Sequence, residues 1–104
     1  MNLRELLDDS TGELSGAVRE VGRDGEVTWM RGGRAFATVA ADGAIAGFAL
    51  EPAVADAATR TPDVTRSDRG TGWVAFAPAE LDDHAADRAL AWFASAYRRM
   101  EPRN

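Results

Sequence analysis

Two adjacent glycines, Gly32 and Gly33, lie between two short segments rich in β-branched and aromatic residues. Glycine adopts positive φ without steric strain, and a two-residue hairpin turn of the primed type needs positive φ at both central positions. The sequence therefore predicts a β-hairpin here, and the dipeptide Asp42-Gly43 predicts a second one. Together they give a three-stranded antiparallel meander. The three predicted strands cover 27–30, 34–41 and 44–50.

The segment before this meander has helical periodicity. Its apolar residues recur at spacings of three, four and seven positions, which places them on one helical face. A capping-box pattern over 10–13 divides the segment, since a Ser hydroxyl there can accept from the third helical N–H. The sequence predicts an N-terminal helical part over 1–22, with helices at 2–9 and 11–21 and Gly22 closing the second one.

Downstream of the meander, the pattern predicts a helix that begins near Pro52, then a loop, a strand and a long helix. The loop is predicted at 61–72, the strand at 73–76 and the last helix from Asp82 or Asp83 to about Met100. Trp29 and Trp73 fall within strands and are predicted to be core residues. Gly47, in the third strand, indicates either a bulge or the close approach of a helix.

The predicted order α-β-β-β-α-β-α is typical of an α+β fold, an antiparallel sheet with helices packed on one face. A length of 104 residues suits a single domain over 1–104. The longest apolar stretch, 43–50, is far shorter than the roughly 20 residues that a membrane-spanning helix needs. We therefore expect a cytoplasmic protein without membrane contact.

Composition and motifs exclude several kinds of chemistry. The chain has no Cys and one His, which excludes disulfides, thiol nucleophiles and zinc ribbons. It has no Lys, so a P-loop is excluded, and Gly70-Thr71-Gly72 lacks the third glycine of a dinucleotide fingerprint. Asp83, His84 and Asp87 could hold a hard cation, but acids in a helix's first turn also complement the helix dipole. We predict no catalytic residues, no metal and no cofactor.

Arginines cluster at two places in a chain whose formal net charge is −5. Arg31 and Arg34 flank the first hairpin turn, and Arg66 and Arg69 lie in the predicted loop. A guanidinium contacts phosphate bidentately, and a β-ribbon can enter a nucleic-acid groove. These four residues are the predicted nucleic-acid contacts. The alternative is that they only solvate a hairpin tip and protect strand edges.

A second candidate surface lies on the last helix. Trp92 falls at the margin of the helix's apolar stripe, with Arg88 and Arg99 beside it. An aromatic residue flanked by Arg can anchor a protein interface, or it can be a half-buried residue at the edge of the core. The interface reading predicts an unidentified protein partner or weak homodimerisation of an otherwise monomeric chain.

Three short motifs carry a resemblance to a known family. They are Gly33-Arg34-Ala35-Phe36-Ala37, Trp73-Val74 and Ala96-Tyr97-Arg98. Over about 26–100 the chain resembles the MmcQ/YjbR family of small bacterial proteins, although Arg34 stands where that family often has Lys. The resemblance implies a CyaY-like fold and a DNA-binding role, with no known reaction or cofactor. We expect a non-enzymatic DNA-binding domain; the alternative is a protein-interaction or small-ligand-binding module.

Overall fold

The computed structural model describes residues 1–101, which form three α-helices and one six-stranded sheet. The helices are α1 (Leu3–Thr11), α2 (Pro52–Ala58) and α3 (Asp83–Arg99). The strands are β1 (Ala17–Val21), β2 (Val27–Arg31), β3 (Arg34–Val39), β4 (Ala46–Ala49), β5 (Val64–Arg66) and β6 (Trp73–Phe76). Their order across the sheet is β1-β2-β3-β4-β6-β5, and every neighbouring pair is antiparallel.

All three helices lie on one face of the sheet. Trp29 and Phe48 share that face because both pair with Ala37 of β3. Their rings contact α3, at 5.2 Å from the Phe93 ring centre and 6.2 Å from that of Trp92 respectively. Ion pairs join the other two helices to the same face: Asp8 of α1 to Arg19, and Asp56 of α2 to Arg66. The opposite face carries no helix within 1–101.

A bulge in β3 adds one aromatic side chain to this core. Trp29 pairs with Ala37, but the next residue, Met30, pairs with Ala35, so Phe36 is the additional residue. In a regular strand the Phe36 side chain would point to the face opposite Ala37. The bulge instead turns the side chain of this extra residue toward the helix-bearing face. Phe36 is fully buried and its ring centre lies 5.6 Å from an aromatic ring of α3.

Side-chain caps fix where the long helices begin. Asn2 Oδ1 accepts the Glu5 N–H at 2.9 Å, and Asp82 Oδ1 accepts the Ala85 N–H at 2.8 Å. Each bond satisfies one of the donors that the first turn of a helix leaves free. Of the two predicted caps of α3, Asp82 is the cap and Asp83 is the first helical residue.

The predicted fold class is confirmed. The chain forms an α+β structure with an antiparallel sheet, and the predicted elements occur in the predicted order with two strands added, β1 and β5. Trp29 lies in the core as predicted, whereas Trp73 is half-buried on the helix-free face. The predicted loop at 61–72 contains β5, a strand of three residues whose single buried side chain is Val64.

The prediction of a second N-terminal helix at 11–21 is wrong, because that segment ends α1 and then forms β1. The predicted capping hydroxyls do not begin a helix. Those of Ser10 and Thr11 donate to the Leu7 carbonyl at 3.3 and 2.7 Å, in the last turn of α1. Gly22 does not close a helix either, since its N–H donates to the Glu26 carbonyl within the β1–β2 hairpin.

The predicted primed turn at Asp42-Gly43 is also wrong in type, although it joins two antiparallel strands. Only Gly43 has positive φ, at 74°, and its N–H donates to the Ala40 carbonyl at 2.8 Å. The Asp42 carboxylate instead accepts the Ala44 N–H at 2.9 Å. This side-chain bond stabilises a longer loop, so β3 ends at Val39 and β4 begins only at Ala46.

The two edge strands of the sheet differ in length and exposure. β1 has five residues, of which Val18 and Val21 are 54% and 50% exposed. β5 has three residues and follows Pro62 and Asp63, the latter with a φ of 69°.

None of the helices within 1–101 combines the length and apolar character needed to cross a membrane.

Candidate functional site: an arginine-lined cleft

Two adjoining cavities lie where the β2–β3 turn meets the end of α3. Their volumes are about 550 and 520 Å³, and they share Arg34, Arg99 and Met100 as walls. Arg31 completes the first cavity together with Glu51 and Glu101, whereas Arg69 and Trp73 belong to the second. We call this pair of cavities the arginine cleft, after Arg31, Arg34, Arg69 and Arg99. Both volumes lie in the range typical of ligand sites.

Two glycine-containing turns bring these arginines together. Gly32 and Gly33 have φ of 59° and 78°, so the predicted hairpin turn is confirmed and Arg31 and Arg34 pair across it. Gly72, with φ of 83°, accepts the Leu50 N–H at 2.9 Å and holds the loop before β6 against the end of β4. A Cβ at Gly72 would collide with the Leu50 carbonyl oxygen. Only glycine permits this approach.

Arg31 is bound to the protein itself. Its guanidinium carbon lies 3.9 Å from the centre of the Tyr97 ring, and its Nη1 donates to the Tyr97 carbonyl at 3.0 Å. The Tyr97 hydroxyl in turn donates to the Ser15 carbonyl. The side chain of Arg31 therefore connects the hairpin to α3 and forms a wall of the cleft.

Arg34 and Arg99 are the arginines that both cavities share. Arg34 is exposed, and within 1–101 no side chain or carbonyl pairs with its guanidinium. Arg99 Nε lies 3.6 Å from Glu51 Oε1, longer than a hydrogen bond, and its side chain is 24% exposed. Arg34 is therefore open to an anion, whereas Arg99 shares its charge with Glu51.

Arg69 crosses the helix-free face of the sheet. Its Nη2 donates to Glu26 Oε2 at 2.7 Å, and its guanidinium carbon lies 5.8 Å from the Trp73 ring centre. Gly47 lies beneath it and has no room for a side chain, because a Cβ there would lie 2.7 Å from Thr38 Oγ1. Gly47 therefore reflects close side-chain packing, not the predicted bulge or helix approach.

The structure does not bring Arg66 into the cleft. Arg66 pairs with Val74, on the helix-bearing face, and its guanidinium forms an ion pair with Asp56 of α2. Arg69, three residues later, lies on the opposite face. Arg66 and Arg69 therefore lie on opposite faces of the sheet, and of these two predicted nucleic-acid contacts the structure places only Arg69 in the cleft.

The three residues of the predicted interface, Trp92, Arg88 and Arg99, also lie in two separate places. The Trp92 ring contacts Phe76 at 5.2 Å between ring centres and is half-buried. The guanidinium carbon of Arg88 lies 5.6 Å from the same Phe76 ring, and its Nε is buried without a hydrogen-bond acceptor among residues 1–101. Arg99 instead lines the cleft, about two turns beyond Trp92 along α3.

The acidic group at the start of α3 is exposed. Asp83, His84 and Asp87 all lie on the solvent side of the first turns. In the described part of the chain, no three His, Cys, Asp or Glu side chains are grouped closely enough to hold a metal ion.

Sequence reasoning placed Arg31 and Arg34 correctly but missed Trp73. No sequence signal in β6 could have found it, because all four residues are apolar; the structure shows that Val74 and Phe76 face the helices and that the indole lies on the other face. The position of Arg99 depends on tertiary packing alone. No protein-family model matches the chain, and no curated protein sequence matches it.

Proposed function

We propose that this chain is a nucleic-acid-binding domain whose arginine cleft receives backbone phosphates. The observation that carries the proposal is the shared position of Arg34 and Arg99 in both cavities. Guanidinium groups bind phosphate oxygens through parallel charged hydrogen bonds, and Arg34 has no competing acceptor among residues 1–101. The resemblance to the MmcQ/YjbR family supports the same function.

The distribution of charge also supports this site. The whole chain has a formal charge of −5, which disfavours contact with a polyanion. The two cavities, however, are lined by four arginines and only two carboxylates, those of Glu51 and Glu101. Since Glu26 pairs with Arg69 and Glu51 lies beside Arg99, the unneutralised charge of the cleft is centred on Arg34. An anion drawn to this charge binds with an affinity that falls as salt screens it.

The proposed role of the cleft is binding, without catalysis. Four guanidinium groups dominate its polar lining, and guanidinium groups bind anions as permanently charged donors that do not exchange protons near neutral pH.

Fluorescence anisotropy tests the proposal, with labelled DNA titrated at about 50 and about 150 mM salt. The variant Arg34→Ala is compared with Arg23→Ala, which removes the same charge from an exposed hairpin position outside both cavities. We expect Arg34→Ala to weaken binding by roughly 3- to 10-fold and to lower the salt slope by about one, with Arg23→Ala close to the parent. Equal binding by parent and Arg34→Ala, or no binding at the lower salt, would overturn it.

A further inference from the structure

We propose that the nucleic acid bound in the arginine cleft is single-stranded, with one base stacked against Trp73 and the adjoining phosphates on Arg34 and Arg99. This inference rests on the proposed function and specifies its ligand. It is carried by the presence of an aromatic ring and three arginines in the walls of one cavity of about 520 Å³.

Trp73 is positioned as a platform. It is half-buried at the start of β6, on the face of the sheet without helices, and it lines the second cavity. Its six-membered ring lies against Gly47, with Cζ3 3.6 Å from the position a Cβ would take there. Its five-membered ring lies beside Gly70, where the corresponding distance to Cδ1 is 3.5 Å. The two glycines leave the ring free of side chains at these points, and the Arg69 guanidinium lies over it at 5.8 Å from the ring centre, so a stacked base has to share or displace that contact.

The indole N–H is also free for a ligand. Within residues 1–101 no atom accepts a hydrogen bond from Trp73 Nε1. This N–H is not among the buried unpaired donors, so it is open to solvent and can bond an acceptor on a ligand. Trp73 therefore offers both a ring face and a donor to a planar group that carries acceptors, as nucleobases do.

The charges around this ring suit a strand of phosphates. Arg69 lies 5.8 Å from the ring centre, and Arg34 and Arg99 line the same cavity. Proteins that bind single strands combine a positive groove along the backbone with aromatic side chains on which bases stack. A base in a duplex has both faces covered by its neighbours and cannot reach the indole.

The hairpin tip argues against duplex groove binding. A β-ribbon that enters a groove projects its arginines outward. Here Arg31 is folded back onto Tyr97, at 3.9 Å from the ring centre, so the tip projects Arg34 alone. Stacking in the cleft uses the residues as they are placed, whereas groove entry would require Arg31 to leave its partner.

Three DNA probes of about 12 nucleotides test the inference: a thymidine homopolymer, a duplex, and an abasic strand that has the same phosphates and no bases. We expect the homopolymer to bind at least about 5-fold more tightly than either of the others. Trp73→Leu should weaken homopolymer binding by roughly 5- to 150-fold and leave abasic binding unchanged. Trp73→Phe, which keeps an aromatic face, should retain most of the affinity.

The possible outcomes distinguish a failure of the single-strand inference from a failure of the proposed nucleic-acid-binding function. If the three probes bind alike and only Arg34→Ala weakens them, the cleft binds phosphates without stacking, and the single-strand inference is overturned while the proposed function stands. If no probe binds at low salt, both are overturned. Should Trp73→Leu fail to fold by circular dichroism, the homopolymer–abasic comparison on the parent and Trp73→Phe still decides.

Discussion

The guanidinium of Arg31 stacks on Tyr97 at 3.9 Å and donates to the carbonyl of the same residue at 3.0 Å. One side chain thus joins the β2–β3 hairpin to the last turns of α3 through two interactions. A cation over an aromatic ring contributes about 0.5 to 2 kcal/mol, and a hydrogen bond from a charged donor adds about 1.5 to 3 kcal/mol. Arg31 is therefore primarily a structural residue.

We expect Arg31→Ala to lower the free energy of unfolding by about 1 to 3 kcal/mol. Urea denaturation followed by far-UV circular dichroism measures this change. Arg34→Ala is the matched control, because Arg34 is exposed and should stay within about 0.5 kcal/mol of the parent. Equal stability of the two variants would show that the Tyr97 contact contributes nothing.

Gly72→Ala should destabilise the protein by about 3 kcal/mol or more, because a methyl group there meets the Leu50 carbonyl and φ is 83°. Gly32→Ala provides the comparison, since φ is also positive at 59° but no atom lies within 4 Å of the added carbon. Its cost should be about 1 to 2 kcal/mol, from backbone strain alone. Thermal unfolding of both variants separates collision from strain, and similar losses would contradict the role given to the Leu50 contact.

Asp82→Ala should cost about 1 kcal/mol, since it removes the oxygen that accepts the Ala85 N–H at the start of α3. Asp82→Asn keeps an oxygen in the same position and should lie within a few tenths of a kcal/mol of the parent. Chemical denaturation of the pair gives the difference. If both variants lose the same stability, the charge of Asp82, and not the cap, is what matters.

Glu26→Gln should increase the affinity for DNA by roughly 2- to 5-fold, because Arg69 is then released from its ion pair for use by the ligand. Glu20→Gln changes the net charge equally at an exposed position of β1 outside the cleft. Anisotropy titrations at one salt concentration compare the three proteins. Identical gains for the two variants would mean that net charge, and not the freedom of Arg69, controls binding.

Local sequence signals predicted the strands and helices with strong turns or caps and failed where edges are exposed. The spacing of Leu14, Val18 and Val21 fits a helical face, yet two of these residues project from β1 into solvent. In the strand Ala17, Arg19 and Val21 share the face of the sheet that carries the helices, and Val21 is still 50% exposed there, so the apolar period does not identify a buried face. An edge strand buries few side chains, so the pattern of apolar residues in its sequence contains little information about its structure.

The candidate site was predictable only in the parts that are local. The Gly32-Gly33 turn fixes Arg31 and Arg34 on either side of it, and both were predicted. Arg99 reaches the same place because α3 runs across the sheet and ends beside this turn, which is a consequence of packing. A charge count along the chain cannot distinguish Arg34, which is free of acceptors in the described residues, from Arg66, which Asp56 neutralises.

The unlike edges of the sheet limit how copies of this chain can polymerise. Continuous growth of a fibre by strand addition requires two receptive edges on each molecule, so that every copy both offers and accepts a strand. β5 is short and follows a proline and a residue with positive φ, which makes it a poor acceptor. Within 1–101 only β1 presents a full-length free edge, so edge pairing of the folded protein would end at two molecules.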